Sequence, residues 1–144
     1  DAPATQTRMR KMGIPPFNTA YSVILITAHR LARKVCPGCK DTTHVPHQIL
    51  PESGFEEDEI DGSWQTYHPV GCSACNNGYK GRVGIYQVMP VTEDIQRIIL
   101  AEGTELEISE QARREGVRSL RQAGLHKVKL GLTSLEEILA VTNE

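Results

Sequence analysis

Two Cys-x-x-Cys pairs, Cys36-Pro37-Gly38-Cys39 and Cys72-Ser73-Ala74-Cys75, constrain this chain more than anything else in it, because they use every cysteine it has. Two residues between thiolates let both sulfurs of a knuckle turn towards one ion. Two such knuckles complete a tetrahedron with Zn–S bonds of ~2.3 Å. The 32 residues between the pairs exceed the span of a typical zinc ribbon, so a metal would close a large loop. Four protein ligands leave no open coordination position, so Cys36, Cys39, Cys72 and Cys75 are expected to hold a structural Zn2+. The competing chemistry, two disulfides in an exported domain, needs an oxidising compartment. A redox role for one pair fits poorly with two pairs flanking a loop. His44, His47 and His68 lie inside that loop, where they could compete as ligands; solvent-exposed side chains are the favoured reading.

The remaining composition is that of a globular chain, 39% hydrophobic and 24% charged, with a net charge of −2. No apolar run reaches the ~18 to 20 residues of a membrane span, so direct membrane insertion is not expected. The chain opens Asp1-Ala2-Pro3, without Met and without a secretory leader pattern, and is read as a piece of a longer protein. Charge is uneven along it. Residues up to 45 carry seven Lys/Arg against two Asp/Glu, whereas residues 46–70 carry six acids and no Lys or Arg. An acidic insert between the knuckles argues against nucleic acid as a partner.

Three parts follow from pattern and punctuation. A short helix is expected from Ala4 to Met12, stopped by Gly13 and Pro15-Pro16. A second helix is expected from an Asn18 cap to about Lys34. Val23, Ile24, Ile26, Leu31 and Val35 would spread around it and bury more than one face, His29 would pack or meet an interface, and Arg30, Arg33 and Lys34 would complement its dipole. From Cys36 to Cys75, prolines and glycines permit only short regular structure in a segment too polar to bury itself, with a strand over Trp64–Val70. Arg82–Met89 reads as a strand, and Gly78, Gly81 and Gly84 allow tight turns or close approach. Beyond it, Thr92 opens a helix with Ile95, Ile98 and Ile99 on one face, stopped by Gly103. Further helices are expected over Leu106–Arg114 and Leu120–Leu130, and Thr133-Ser134-Leu135-Glu136 reads as a capping box before Ile138 and Leu139. His126 has no assigned role.

No Gly-x-x-x-x-Gly-Lys-Ser/Thr phosphate loop is present, and no serine or cysteine nucleophile arrangement, so the chain alone is not expected to be an enzyme. Several blocks nevertheless carry a resemblance. The second knuckle followed by Gly78-Tyr79-Lys80-Gly81-Arg82-Val83-Gly84-Ile85-Tyr86 resembles the zinc-binding segment of the secretion ATPases of type II secretion and type IV pilus assembly (the GspE/PilB type). Met12-Gly13-Ile14-Pro15-Pro16-Phe17-Asn18, Arg30-Leu31-Ala32-Arg33-Lys34-Val35-Cys36, Pro69-Val70-Gly71-Cys72 and Gly131-Leu132-Thr133-Ser134-Leu135-Glu136-Glu137 resemble other blocks of the same family, in the same order. His29 departs from it, standing where the family usually has Gln.

The resemblance implies an α+β arrangement: residues 1–35 as the last helices of a RecA-like ATPase core, 36–80 as a tetracysteine zinc-binding insert, and 81–144 as a returning strand and a small C-terminal helical bundle. It implies that the parent is a cytoplasmic hexamer, peripheral at the inner membrane, binding ATP and Mg2+ outside this chain. That motor would act on an inner-membrane platform protein to assemble type IV pili, with type II secretion as the alternative. Arg82 is the one residue that the resemblance places beside the nucleotide, where a planar guanidinium next to Gly81 and Gly84 can stack or hydrogen-bond. A stand-alone zinc-ribbon adaptor is the rival of another class; it accounts for the cysteines but not for the flanking helices.

Overall fold

A computed structural model describes residues 1–15 and 25–143. Their elements run α1 (Ala2–Lys11), β1 (Leu25–Val35), β2 (Asp41–Thr43), α2 (Ile49–Ser53), a 3-10 turn (Glu57–Glu59), β3 (Thr66–His68), β4 (Tyr79–Pro90), α3 (Glu93–Leu100), α4 (Glu105–Arg114), α5 (Leu120–Lys129) and α6 (Leu135–Val141). Strand β1 pairs with β4, and β2 with β3, in two two-stranded sheets, so the fold mixes helix and strand. No helix among the described residues is long and apolar enough to cross a membrane. Residues 1–29 and 86–119 form one compact unit; residues 30–85 and 120–144 form a second.

In the first unit, Ile26, Met89, Val91, Ile95, Ile99, Ile108 and Ala112 form the core, with Ile98 and Val117 packed against it. The local signals act as read. The Thr92 hydroxyl accepts from the Ile95 amide at 3.4 Å, and Ile95 and Ile99 turn inward from α3. The Gly103 amide returns to the Ile98 carbonyl at 2.9 Å, closing that helix. Thr104 caps α4 in the same way. Helix α1 begins slightly earlier than expected because Asp1 caps it, its carboxylate accepting from the Ala4 amide at 2.8 Å.

The helix expected from Asn18 to Lys34 is not found: Leu25–Val35 is a strand, and residues 18–24 lie outside the described residues. Ile26, Ala32 and Val35 are buried while Leu31 is exposed. Apolar residues spread around a helical wheel describe an extended segment equally well, and pairing with β4 decides between the two. Arg30, Arg33 and Lys34 therefore have no helix dipole to complement. His29 is exposed rather than packed, its ring 6.2 Å from that of Tyr86.

The second unit buries Ala32, Val35, Leu50, Phe55, Ile85, Leu120, Leu125, Val128, Leu135 and Ile138. The insert is not too polar to bury itself: Phe55 stacks on Trp64 with ring centroids 4.7 Å apart, and Leu50 is buried with them. The strand expected over Trp64–Val70 shortens to β3, which pairs antiparallel with β2 through Asp41↔His68, Thr42↔Tyr67 and Thr43↔Thr66. The expected strand after the second knuckle is present as the longer β4.

Helices α5 and α6 pack on each other and on β3. The cap of α6 sits one residue later than expected. The Ser134 hydroxyl accepts from the Glu137 amide at 3.2 Å, while the Thr133 hydroxyl donates to the Arg33 carbonyl at 2.7 Å. Gly124 sets the α5–α6 separation, since a Cβ there would lie 2.7 Å from Ile138 Cγ2. Gly124→Ala should gain helix propensity worth ~1 kcal/mol and lose ~1–3 kcal/mol to overpacking. The expected result is a net loss, read as an earlier urea midpoint of Trp64 fluorescence; a later midpoint would mean that Ile138 gives way freely.

Candidate metal centre

Strand β1 delivers the first knuckle. Val35 donates its amide to the Leu132 carbonyl at 3.0 Å, and Cys36 donates to the Gly78 carbonyl at 2.8 Å. The chain then turns tightly, with the Lys40 amide returning to the Cys36 carbonyl at 2.9 Å. The second knuckle closes with Cys75 N–H on the Cys72 carbonyl at 3.4 Å and runs directly into a two-residue hairpin. Asn76 and Tyr79 exchange both backbone hydrogen bonds, at 2.9 and 3.0 Å. Asn77 and Gly78 between them have φ of 52° and 91°. Asn-Gly is the sequence best suited to a turn with two positive φ angles.

These turns bring all four sulfurs within 4.8 Å of one another. Cys36 and Cys72 are 3.9 Å apart, Cys39 and Cys75 3.8 Å, and Cys72 and Cys75 3.5 Å. A tetrahedron with ~2.3 Å Zn–S bonds has S···S edges of about 3.8 Å, so the cluster has the size of a metal tetrahedron. Backbone amides already point at it: Gly71 N–H donates to Cys39 Sγ at 3.4 Å and Cys72 N–H to Cys75 Sγ at 3.2 Å. Such donors stabilise thiolate over thiol. No histidine joins the group. His44 and His47 are exposed, as read, whereas His68 is half-buried with its Nδ1 unpaired among the described residues.

Ionisation is unequal within the metal-free cluster. At Cys72 the Ala74 amide favours the thiolate, but hydrogen bonds to Cys75, Cys39 and Cys36, together with desolvation, push the thiol up to about 11. At Cys75 desolvation opposes ionisation, and hydrogen bonds involving Cys72, Gly78 and Cys39 overcome it, bringing the thiol down to about 7. A bound cation would remove this competition by favouring the thiolate at every position.

Two cations tie the site to the helices behind it. Lys40 Nζ donates to the Gly131 carbonyl at 2.9 Å and lies 4.2 Å from the centre of the Tyr67 ring. Arg33, three residues before the first cysteine, makes a two-pronged hydrogen bond to Glu137, with its amide adding a third contact at 2.7 Å. The Arg33 guanidinium also sits 4.2 Å over Tyr79, whose hydroxyl is 2.7 Å from that of Ser134. Neither Lys40, Glu137 nor Tyr79 stood out from spacing alone. The only local hint was a glutamate three residues after a serine cap, and that pattern does not reveal where the carboxylate goes. Arg82 is exposed on β4 and lines a cavity of about 340 Å3 with Arg33, Asn76, Tyr79 and Gly81.

The family model described as "Type II/IV secretion system protein" matches residues 1–140 of this chain. The chain belongs to the type II/IV secretion system protein family. Relatives of this chain include the type IV pilus assembly ATPase PilB of Pseudomonas aeruginosa, 54% identical over 99% of this chain and 25% of the relative. The type IV pilus assembly ATPase PilB of Acinetobacter baylyi is 49% identical over 100% of this chain and 25% of the relative. The type II secretion system protein E of Aeromonas hydrophila is 40% identical over 96% of this chain and 27% of the relative. The secretion-family chain therefore spans about a quarter of the length of these curated relatives.

Proposed function

We propose that this chain is the zinc-bearing C-terminal part of a cytoplasmic hexameric ATPase that powers type IV pilus assembly. The observation that carries this reading is the 54% identity across 143 residues to a pilus-assembly ATPase, spanning both knuckles and the elements that frame them. Cys36, Cys39, Cys72 and Cys75 would hold a structural Zn2+, a soft-ligand tetrahedron with no position left for substrate. The ion would supply cross-linking: it fixes the ends of the 36–80 insert, one following β1 and the other leading into β4. ATP and Mg2+ would bind on parts of the motor outside this chain, since it has no phosphate loop.

Type II secretion is the second reading, favoured by the 40% identity to a type II secretion protein. A stand-alone zinc-ribbon adaptor leaves unexplained a family match that extends over residues 1–140 rather than over the knuckles alone. Within the motor reading, Arg82 would reach the nucleotide, supported by its exposure beside a cavity next to Gly81. The exposed acids Glu56, Glu57 and Asp58 would face the inner-membrane platform protein.

The test is a chain extended upstream through a phosphate loop. ATP hydrolysis is expected from the extended chain, with Arg82→Ala raising KM for ATP several-fold while zinc content is unchanged. An extended chain that binds zinc but neither binds nor hydrolyses ATP would contradict the motor reading. In cells, reversing the charge of Glu56, Glu57 and Asp58 is expected to reduce pilation, and normal pilation would remove that face from the interaction with the platform.

A further inference from the structure

A cavity of about 360 Å3 opens in the second unit, within the insert, walled by Val45, Leu50, Ile60 and Trp64 and edged by Thr43 and His44. The volume suits one large apolar side chain and falls in the range of ligand-sized pockets. Its walls are held in place before anything binds. Trp64 stacks on Phe55 and donates its indole N–H to the Glu59 carbonyl at 2.7 Å. The 3-10 turn preceding Ile60 is fixed by a reciprocal capping box between Glu56 and Glu59, and Glu59 is 3.4 Å from Lys129 of α5. A preformed pocket avoids part of the ordering cost of binding.

The insert's own charge is acidic, and Lys129 of α5 pairs with Glu59 on the side facing the helices. Residues 46–70 contain six acids and no Lys or Arg, and Glu56, Glu57 and Asp58 are exposed immediately before the pocket wall at Ile60. No acid lines the cavity itself. An occupant that satisfies both features must place an apolar group inside and positive charge outside, several ångströms away. A peptide segment does this with neighbouring side chains, whereas a compact cationic ligand would put its charge in a cavity that offers Thr42, Thr43, Gln65 and Thr66 but no carboxylate to pair with it. Acidic rims also speed encounter with basic partners and turn away acidic ones.

The geometry points to a docking pocket for a basic segment of a partner protein, anchored by one apolar side chain beside Trp64. This deepens the docking role given above to the acidic face, and the peptide titration that tests the pocket itself needs neither ATP nor pili. Trp64 is the sole tryptophan of the chain and reports from the pocket wall. The purified chain would be titrated with Ac-Lys-Lys-Leu-Lys-Lys-amide, with its Leu-to-Ala counterpart, and with Ac-Glu-Glu-Leu-Glu-Glu-amide.

A saturable change in Trp64 emission is expected with the leucine-bearing basic peptide. Binding at least tenfold weaker is expected for the other two. The double variant Glu57→Lys with Asp58→Lys, both at exposed positions, should also bind the basic peptide at least tenfold more weakly while keeping its thermal midpoint. Equal binding of the leucine and alanine peptides, equal binding of the acidic peptide, or no saturable change with any of them would overturn the pocket. If the pocket fails while charge reversal still blocks pilation, the acidic face keeps its docking role without it. If the peptide binds and pilation is unaffected, the pocket stands and the link to the platform falls.

Discussion

Gly78→Ala is expected to cost the unit that carries the four cysteines about 3 kcal/mol or more, adding strain at positive φ to a clash that backbone must absorb. A Cβ on Gly78 would lie 2.3 Å from Pro69 Cβ and 2.7 Å from the Pro69 Cα and carbonyl carbon. Neither partner can rotate away, because Pro69 is a ring and its backbone leads through Gly71 to Cys72. The Gly78 carbonyl also accepts the Cys36 amide, so moving the turn pulls one knuckle from the other. Gly62→Ala isolates the backbone-strain part, so that the difference between the two variants reads the clash. Gly62 has a similar φ of 80° but meets nothing within 4 Å, so about 1–2 kcal/mol is expected there. Denaturant unfolding followed at Trp64, with zinc retention against a competing chelator, reads both effects. Equal losses for the two variants would show that the approach to Pro69 is dispensable.

Glu137→Ala is expected to cost about 2–3 kcal/mol, since it leaves the Arg33 amide and guanidinium without their acceptor. The upper end for a broken buried pair is not reached because only one partner is fully buried: the Glu137 side chain is 6% exposed and that of Arg33 58%. Burial pushes the Glu137 carboxyl up, but hydrogen bonds from the Arg33 side chain and amide, with its charge, outweigh burial and hold it below the ordinary carboxylate value. A depressed folded value means that the stabilisation is fully present above the unfolded value of about 4.3. It is lost as pH falls through the folded value. The difference between native chain and Glu137→Gln should therefore be constant near neutrality and shrink only below about pH 4.5. A gap that persisted unchanged into strong acid would show that charge on Glu137 contributes nothing.

The parts legible from sequence are those whose causes are local. A Cys-x-x-Cys knuckle, a threonine cap before Ile95 and a tight turn at Gly78 each act over a few residues, and each sits where local chemistry predicts. Strand β1 has no such local cause. Its buried positions, Ile26, Ala32 and Val35, follow neither a strict two-residue nor a helical period, and its state is set by pairing with β4, far along the chain. Glu137 shows the same limit. Ser134 announces a helix start, yet the carboxylate three residues later binds the backbone of Arg33, 104 residues away in sequence. Phe55 and Trp64 were hidden for another reason: two aromatics in a polar, proline-punctuated stretch reveal neither their stacking nor the pocket beside them.

The most direct test of a structural zinc tetrahedron is elemental analysis of the chain purified without added metal, paired with thiol titration after unfolding. About one zinc ion per chain is expected, together with four free thiols. A chain with no metal and no titratable thiols would instead hold two disulfides, and would contradict both the proposed zinc site and the proposed cytoplasmic motor.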